Sequence, residues 1–361
     1  MEFLIHPSEL ARRRARCASA RERLASVHRE CVSECNVCGS PKNVIIAERD
    51  RYGLPLRTAL CAGCGLIYLV DRLSAAGYAT FYQAGIYRDI SSEFLGVRHS
   101  IAQIQSNQAD YARRLVATLR GFLQVRPGAS LIDIGGSAGV VALEFKREFG
   151  MRPVVLEPSD EEAAAARRAG VETVNGSIED WSAEKKFDVV LLCRSIEHFS
   201  DLKTALTNIR RLLAPDGLFY CDIADFMELC RLTGAPEAVA KIDHCYWLSH
   251  DTAPAIFSSA GLEVVSTNLV FRSGQIGFLM RPCEPRPVPP PHPEYLEHRI
   301  QRFLDFELHW NRSAGTYASW GDWLHRKAYR VKRRMVNALG SLRSSLQNSR
   351  GAHVGDRSQT S

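Results

Sequence analysis

The 361-residue chain contains no uninterrupted run of about 18 apolar residues, so no segment reads as a membrane-spanning helix. Its opening residues, MEFLIHPSELARRR, lack the apolar core of a secretory signal. Its 11 cysteines do not form the spaced framework of a disulfide-stapled secreted domain. These absences lead to the expectation of a reducing, cytoplasmic location, where paired thiolates bind metal more often than they form disulfides. No internal repeat is visible, which excludes a solenoid. Neither sign of charge dominates: the formal charge is +6, and the excess sits at the two ends. Arg12, Arg13, Arg14 and Arg16 crowd one end, and Arg326, Lys327, Arg330, Lys332, Arg333, Arg334 and Arg343 the other. A near-balanced middle speaks against a protein coated in basic surface and for local contacts of the ends with anionic partners.

A hydrophobic share of 45% and a charged share of 24% are ordinary for a globular chain with a sizeable core. Residues 1–30 read as an Ala/Arg/Glu-rich helical segment, and residues 31–90 hold two cysteine pairs among short apolar segments. Residues 91–283 alternate strand-like runs (SLIDIGG, PVVLEPS, VETVNGS, FDVVLLCRS, GLFYCDIAD) with helical patterns (VVALEFKREFG, DEEAAAARRAG, LKTALTNIRRLL). They close on LEVVSTNLVF and SGQIGFLMRP with no helix between. That rhythm predicts an α/β fold: a doubly wound, mostly parallel seven-stranded sheet, with an antiparallel hairpin at its edge and its ligand at the carboxyl ends of the strands. A Pro-rich linker over 284–294, a helical tail over 295–348 and a polar, disordered end over 349–361 complete the expected organisation.

Cys35-Asn-Val-Cys38-Gly and Cys61-Ala-Gly-Cys64-Gly form two knuckles. Zinc takes four soft ligands in a tetrahedron, and each Cys-x2-Cys turn offers two thiolates from one side. Four cysteines leave no open coordination position, so the site reads as structural zinc in a module too small to hold a core without metal. The plain alternative is four unrelated thiols or disulfides.

In the central region the first strand runs into Asp133-Ile134-Gly135-Gly136-Ser137-Ala138-Gly139, and the second ends in Glu157. Glycines there permit a tight turn and close backbone approach, and donors at the next helix can hold an anion. An acid a little over 20 residues further on can accept both ribose hydroxyls of a nucleoside. Gly136-Ser137-Ala138 does not fit the dinucleotide pattern Gly-x-Gly-x-x-Gly, and no Tyr-x-x-x-Lys follows strand four, which disfavours a nicotinamide-linked oxidoreductase.

LIDIGGSAG, VVLEPS, NGSIED, FDVVLLCRSIEHFSD and RRLLAPDGLFY, in this order, resemble successive motifs of class I S-adenosylmethionine-dependent methyltransferases over residues 110–282. The resemblance implies a Rossmann-like methyltransferase domain over 91–283. It implies that Asp133, Gly135, Gly136 and Gly139 face the methionine part of the cofactor and Glu157 the ribose. Ser177, Ile178 and Glu179 would flank the adenine, and Cys193 would lie against the cofactor at the end of strand four. Two positions depart from the usual pattern: Ser137 replaces the middle glycine, and Ser177 the acid that touches the adenine amino group. CNVCGS, CAGCGLIYL, FYQAGIY and KIDHCYWLSHDTAPAIFSSAGLEVV resemble a subset with an N-terminal zinc module, which includes carbon methyltransferases acting on nucleotide-linked deoxysugars. That extends the resemblance to residues 31–282. The further α/β domain of those sugar enzymes has no counterpart here, only the helical tail.

Methyl transfer requires alignment of nucleophile and methyl group and removal of a proton. Strand four ends in Cys193-Arg194-Ser195-Ile196-Glu197-His198. His198 has the pKa range of a base, and Glu197 could orient it or bind a substrate hydroxyl; the alternative is that both only support the loop. His244 and Tyr246 are candidates for the substrate wall, against a merely packed loop. Asp222 and Asp225 follow strand five, where substrate-side acids can lie. The expected partner is a small molecule: a nucleotide-linked sugar, glycan or related metabolite. Lys42, Arg49, Arg51 and Arg57 against Glu48 and Asp50 make the cysteine module only weakly basic, which argues against the alternative of an RNA methyltransferase. A non-catalytic binding protein that kept the fold is the third reading. Leu324, Ala328, Val331, Met335, Ala338 and Leu342 form a heptad-like stripe on a basic background, suited to packing on the protein or self-association, to peripheral contact with an anionic inner membrane surface, or, third, to binding RNA.

Overall fold

The computed structural model describes residues 5–97, 100–182, 184–267 and 274–313. The stripe over 324–342 and the polar end lie outside them. The first part of the chain forms helices α1 (Pro7–Arg16) and α2 (Ala18–Ala25), strands β1 (Arg29–Cys31), β2 (Asn43–Arg49), β3 (Pro55–Cys61), β4 (Ile67–Leu69) and β5 (Asp71–Leu73), then helices α3 (Ala75–Gln83) and α4 (Ile86–Leu95). There follow α5 (Ile101–Leu119), β6 (Ser130–Ile134), α6 (Val140–Phe149), β7 (Arg152–Glu157), α7 (Asp160–Arg168), β8 (Glu172–Asn175), β9 (Phe187–Leu192), α8 (Leu202–Leu212) and β10 (Leu213–Ala224). Last come α9 (Phe226–Thr233), α10 (Pro236–Val239), β11 (Tyr246–Trp247), α11 (Ala253–Ser259), β12 (Leu262–Ser266), β13 (Gln275–Pro282) and α12 (Pro293–Ser313).

The central sheet has seven strands in the order β12-β13-β10-β9-β6-β7-β8. Every residue of β6 is buried, as expected of a parallel strand covered on both faces. Parallel pairing of β6 with β9 sets Asp133 opposite Leu191 and Ile134 opposite Leu192, and pairing of β7 with β8 sets Glu157 opposite Asn175. The glycine turn, Glu157 and the end of β9 therefore share one edge of the sheet. The expected edge hairpin is present: β13 runs antiparallel between β10 and β12. Helices α8 and α9 begin on side-chain caps, Asp201 accepting from the Thr204 N–H for α8 and Asp225 from the Glu228 N–H for α9.

The cysteine module is an antiparallel sheet of β2, β3 and β4, and its fourth strand comes from far along the chain. Tyr246 and Trp247 of β11 pair with Tyr68 and Ile67 of β4. Buried Asp50 tightens the same junction, accepting the N–H groups of Tyr52, Leu54 and, 192 residues away, Ile242. One apolar core runs through the module and the central sheet, from Leu60 and Tyr68 to Ile134, Leu192 and Trp247. The helical tail is not separate either. Leu296, Ile300 and Phe303 of α12 enter this core, and Arg299, 3% exposed, reaches Ser249 and Asp251.

Candidate functional site

The turn after β6 needs its glycines at two positions. Gly135 has φ +66°, and a Cβ there would stand 2.6 Å from the Ser195 hydroxyl. A Cβ on Gly136 would stand 2.8 Å from the Asp133 carboxylate. Ser137, the departure from the usual loop, holds the left-handed conformation at φ 51° without being glycine. Its N–H donates to Glu157 Oε2 at 2.9 Å, and the Ser159 N–H donates to Oε1 at 2.9 Å. Gly139 then opens α6.

Both oxygens of Asp133 are buried without a hydrogen-bond partner among the described residues. Burial raises this carboxyl to about 7, and burial together with neighbouring Glu162 raises Glu157 to about 8. A buried acid without a partner implies donors that come from a ligand. An aliphatic ammonium and ribose hydroxyls supply such donors, so these residues fit a nucleoside cofactor carrying an amino-acid arm. Beyond β8, Ile178 is buried, and the Ser177 hydroxyl donates to Glu179. The other Glu179 oxygen accepts from the backbone of Ser200 and Asp201, so this side chain braces the loop after β9. Cys193 is half-buried at the end of β9, and desolvation raises its thiol well above the ordinary range, which leaves it protonated.

The loop after β9 brings His198 and His244 together, with ring centres 4.7 Å apart and edge-to-face. His198 Nδ1 lies 2.7 Å from the Asp243 carbonyl, which can only accept, so Nδ1 carries the proton and Nε2 keeps a lone pair. The Tyr82 hydroxyl lies 3.0 Å from the same nitrogen. Burial lowers the pKa of both histidines and keeps them neutral. Lys241 Nζ sits 3.1 Å from Asp243 Oδ2. Glu197 lies deeper, raised by burial to about 7, and accepts the Ala224 N–H at 2.6 Å, which ties the loop to β10. Tyr246 is fully buried, its hydroxyl donating to the Ser200 carbonyl and accepting from Arg72. Asp222 accepts the Arg194 N–H and the Tyr111 hydroxyl, and Asp225 caps α9 and meets His250.

The four module cysteines converge. Sγ of Cys35 is 3.6 Å from that of Cys64, and Sγ of Cys38 is 3.5 Å from that of Cys61. All four sulfurs lie within 4.8 Å of one another. A tetrahedron of zinc–sulfur bonds about 2.3 Å long spaces its sulfurs about 3.8 Å apart, so the donor set and its dimensions fit zinc.

Residues that sequence reasoning left without a role surround this edge. Tyr82, Tyr87 and Arg88 come from α3 and α4: Tyr87 donates to Glu162, and Arg88 pairs with Glu161 and Glu162 on the helix that follows Glu157. Their segment, FYQAGIYR, stands out in the sequence, but nothing local reports that the start of α4 meets the acids of α7. Lys241 and Asp243 are likewise positioned only by tertiary contacts.

Residues 104–267 match the model of a family described as a methyltransferase domain. The C-methyltransferase NovU of Streptomyces niveus is 26% identical over 260 residues, spanning 66% of this chain and 57% of that protein. A ubiquinone biosynthesis O-methyltransferase of Rhodopseudomonas palustris (strain TIE-1) is 29% identical over 97 residues, 25% of this chain and 38% of that protein. The chain thus spans less than two thirds of either relative. Among solved structures, the CcbJ methyltransferase from Streptomyces caelestis superposes with a TM-score of 0.40 at 16% identity, covering 48% of this chain and 95% of that one.

Proposed function

We infer that this chain, whose residues 104–267 form a class I methyltransferase domain, transfers a methyl group from S-adenosylmethionine to a small-molecule acceptor. The observation that carries this reading is the pairing of an unpartnered, buried Asp133 with Glu157 across the glycine turn. When bound, S-adenosylmethionine supplies an electrophilic methyl group. Asp133 would accept from the ammonium of the amino-acid arm, Glu157 would accept from the ribose hydroxyls, and Ser177 and Ile178 would border the base. His198 Nε2, with its lone pair set by the Asp243 carbonyl, takes the acceptor's proton. Tyr82 and His244 shape the wall around it.

A sugar nucleotide, glycan or related metabolite is the acceptor we favour, and the relative that is a C-methyltransferase supports carbon as a candidate atom. Two arginines of the cysteine module are engaged within the protein, which speaks against an RNA role: Arg51 donates to the Ala238 carbonyl, and Arg57 pairs with Asp71. Zinc in the four-cysteine cage and a reducing, cytoplasmic location belong to the same reading, because the cage needs reduced thiolates.

Titration calorimetry with S-adenosylmethionine tests the proposal. Binding is expected, and Glu157→Ala should weaken it about tenfold or more, roughly 1.4 kcal/mol. No heat of binding up to millimolar cofactor would remove the methyltransferase function.

A further inference from the structure

Arg194 is the residue after Cys193, just beyond β9, and its conformation is unusual. Its backbone lies in the left-handed region at φ 54°, and the other described non-glycine residue there is Ser137 of the glycine turn. Such a conformation is strained for a residue with a Cβ and persists where surroundings hold it. Here the Arg194 N–H donates to Asp222 Oδ1 at 2.6 Å. The side chain is then laid over the ring of Tyr111, with the guanidinium carbon 4.4 Å from the ring centre. Tyr111 is held in turn by its hydroxyl, which donates to Asp222 Oδ2 at 3.0 Å.

Nothing described satisfies the guanidinium itself. Its Nε is buried without an acceptor, and no carboxylate among the described residues forms an ion pair with it. Asp222 is close enough to interact electrostatically with Arg194, but the bonds its oxygens accept are from the backbone N–H and the tyrosine hydroxyl, and among the described residues it forms no hydrogen bond to the guanidinium. An arginine is built for forked donation to a planar anion, and stacking on an aromatic ring fixes the fork's plane. One turn before Tyr111 on α5, Gln108 also keeps a buried amide oxygen without a partner.

The position of this guanidinium gives the vacant donor a meaning. The next residue, Ser195, places its hydroxyl 3.5 Å from the Gly135 carbonyl, so Arg194 borders the glycine turn on the β9 side. Glu157 lies on the opposite, β7 side of that turn, with Ser177 and Ile178 further out beyond β8. A nucleoside with its ribose at Glu157 and its base outward must extend its 5′ arm toward β9. We propose that Arg194 is an anion-binding residue of the methyl-transfer site, its guanidinium, stacked on Tyr111, taking a carboxylate or similar planar anion beside the glycine turn. The anion is the carboxylate of the cofactor's own arm or an anionic group of the acceptor, and the proposal rests on the cofactor reading above.

Calorimetry on the full chain compares S-adenosylhomocysteine, which has the amino-acid arm, with 5′-methylthioadenosine, which lacks it. Arg194→Gln should weaken S-adenosylhomocysteine about tenfold or more and leave 5′-methylthioadenosine unchanged, while Arg194→Lys recovers part of the loss. If S-adenosylhomocysteine binds Arg194→Gln normally, inorganic phosphate added to its complex decides the second source. A saturable rise in melting temperature in the wild type that Arg194→Gln lacks assigns the anion to the acceptor. Equal behaviour of the two proteins in both arms overturns the proposal. Should Arg194→Gln fail to fold, Arg194→Lys is read in the same way: a weakened S-adenosylhomocysteine with unchanged 5′-methylthioadenosine supports it, and no change in either arm overturns it. A wild type that binds neither nucleoside would instead sink the cofactor reading, so the two failures are distinguishable.

Discussion

Asp50, Asp133, Glu157 and Glu197 are buried carboxyls whose desolvation raises them to about 7, 7, 8 and 7. In the unfolded chain such groups lose their protons near pH 4. Between that value and about 7–8 the folded protein holds protons the unfolded chain has released, so stability falls as pH rises through this window. His198 and His244 act in the opposite sense. Neutral when folded and protonated when unfolded below about 6.5, they make stability rise with pH up to that point. The two effects oppose one another in mild acid, and above about 6.5 only the carboxyl effect remains between these two sets. The melting temperature of the cofactor-free protein should therefore decline from pH 6.5 to 8.5, and Glu197→Gln should make the decline shallower. A profile identical in wild type and variant would show that Glu197 is ionised throughout.

Among the elements, β4 and β11 depend on each other. The cage cysteines Cys61 and Cys64 lie at the end of β3 and in the turn to β4, and β4 pairs in turn with Tyr246–Trp247. Arg72, one residue into β5, donates to both the Tyr246 hydroxyl and the Ser200 carbonyl. Stripping metal with a mercurial thiol reagent should release one equivalent of zinc and raise amide exchange in residues 67–69 and 242–247 together. Faster exchange confined to residues 35–66 would mean that the strands are independent. The parallel strands are legible in the sequence because SLIDI and FDVVLL are continuous apolar runs that only a doubly covered sheet can bury. The two-residue β11 carries no periodicity, and its pairing with β4, some 180 positions earlier, leaves no local trace. Glu157 and the cysteines stand out by spacing, and Asp133 by the motif resemblance. The tautomer of His198 does not, because it is set by the main-chain carbonyl of Asp243.

At the scale of the whole molecule, α12 fastens the regions to one another. Arg299 donates to Ser249 Oγ and Asp251, and the Tyr295 hydroxyl donates to Asp251 Oδ2 at 2.7 Å. Trp310 covers Gly234, where a Cβ would meet the indole at 2.8 Å. Arg299 is buried but Asp251 is exposed, so truncating the arginine removes its charge-assisted hydrogen bonds without stranding a buried charge, at a cost of about 2 kcal/mol. Arg299→Ala should therefore lower the urea midpoint by that much in free energy, and a loss under about 1 kcal/mol would mean that α12 rests on apolar contact alone.

The strand lent by residues 246–247 also limits how such a chain can be recombined. Moving only residues 31–73 onto another catalytic body would take from the Leu69 N–H the Cys245 carbonyl it donates to and leave a raw sheet border along β4 open to stray pairing. A graft that travels with its distant donor loop would keep that border closed.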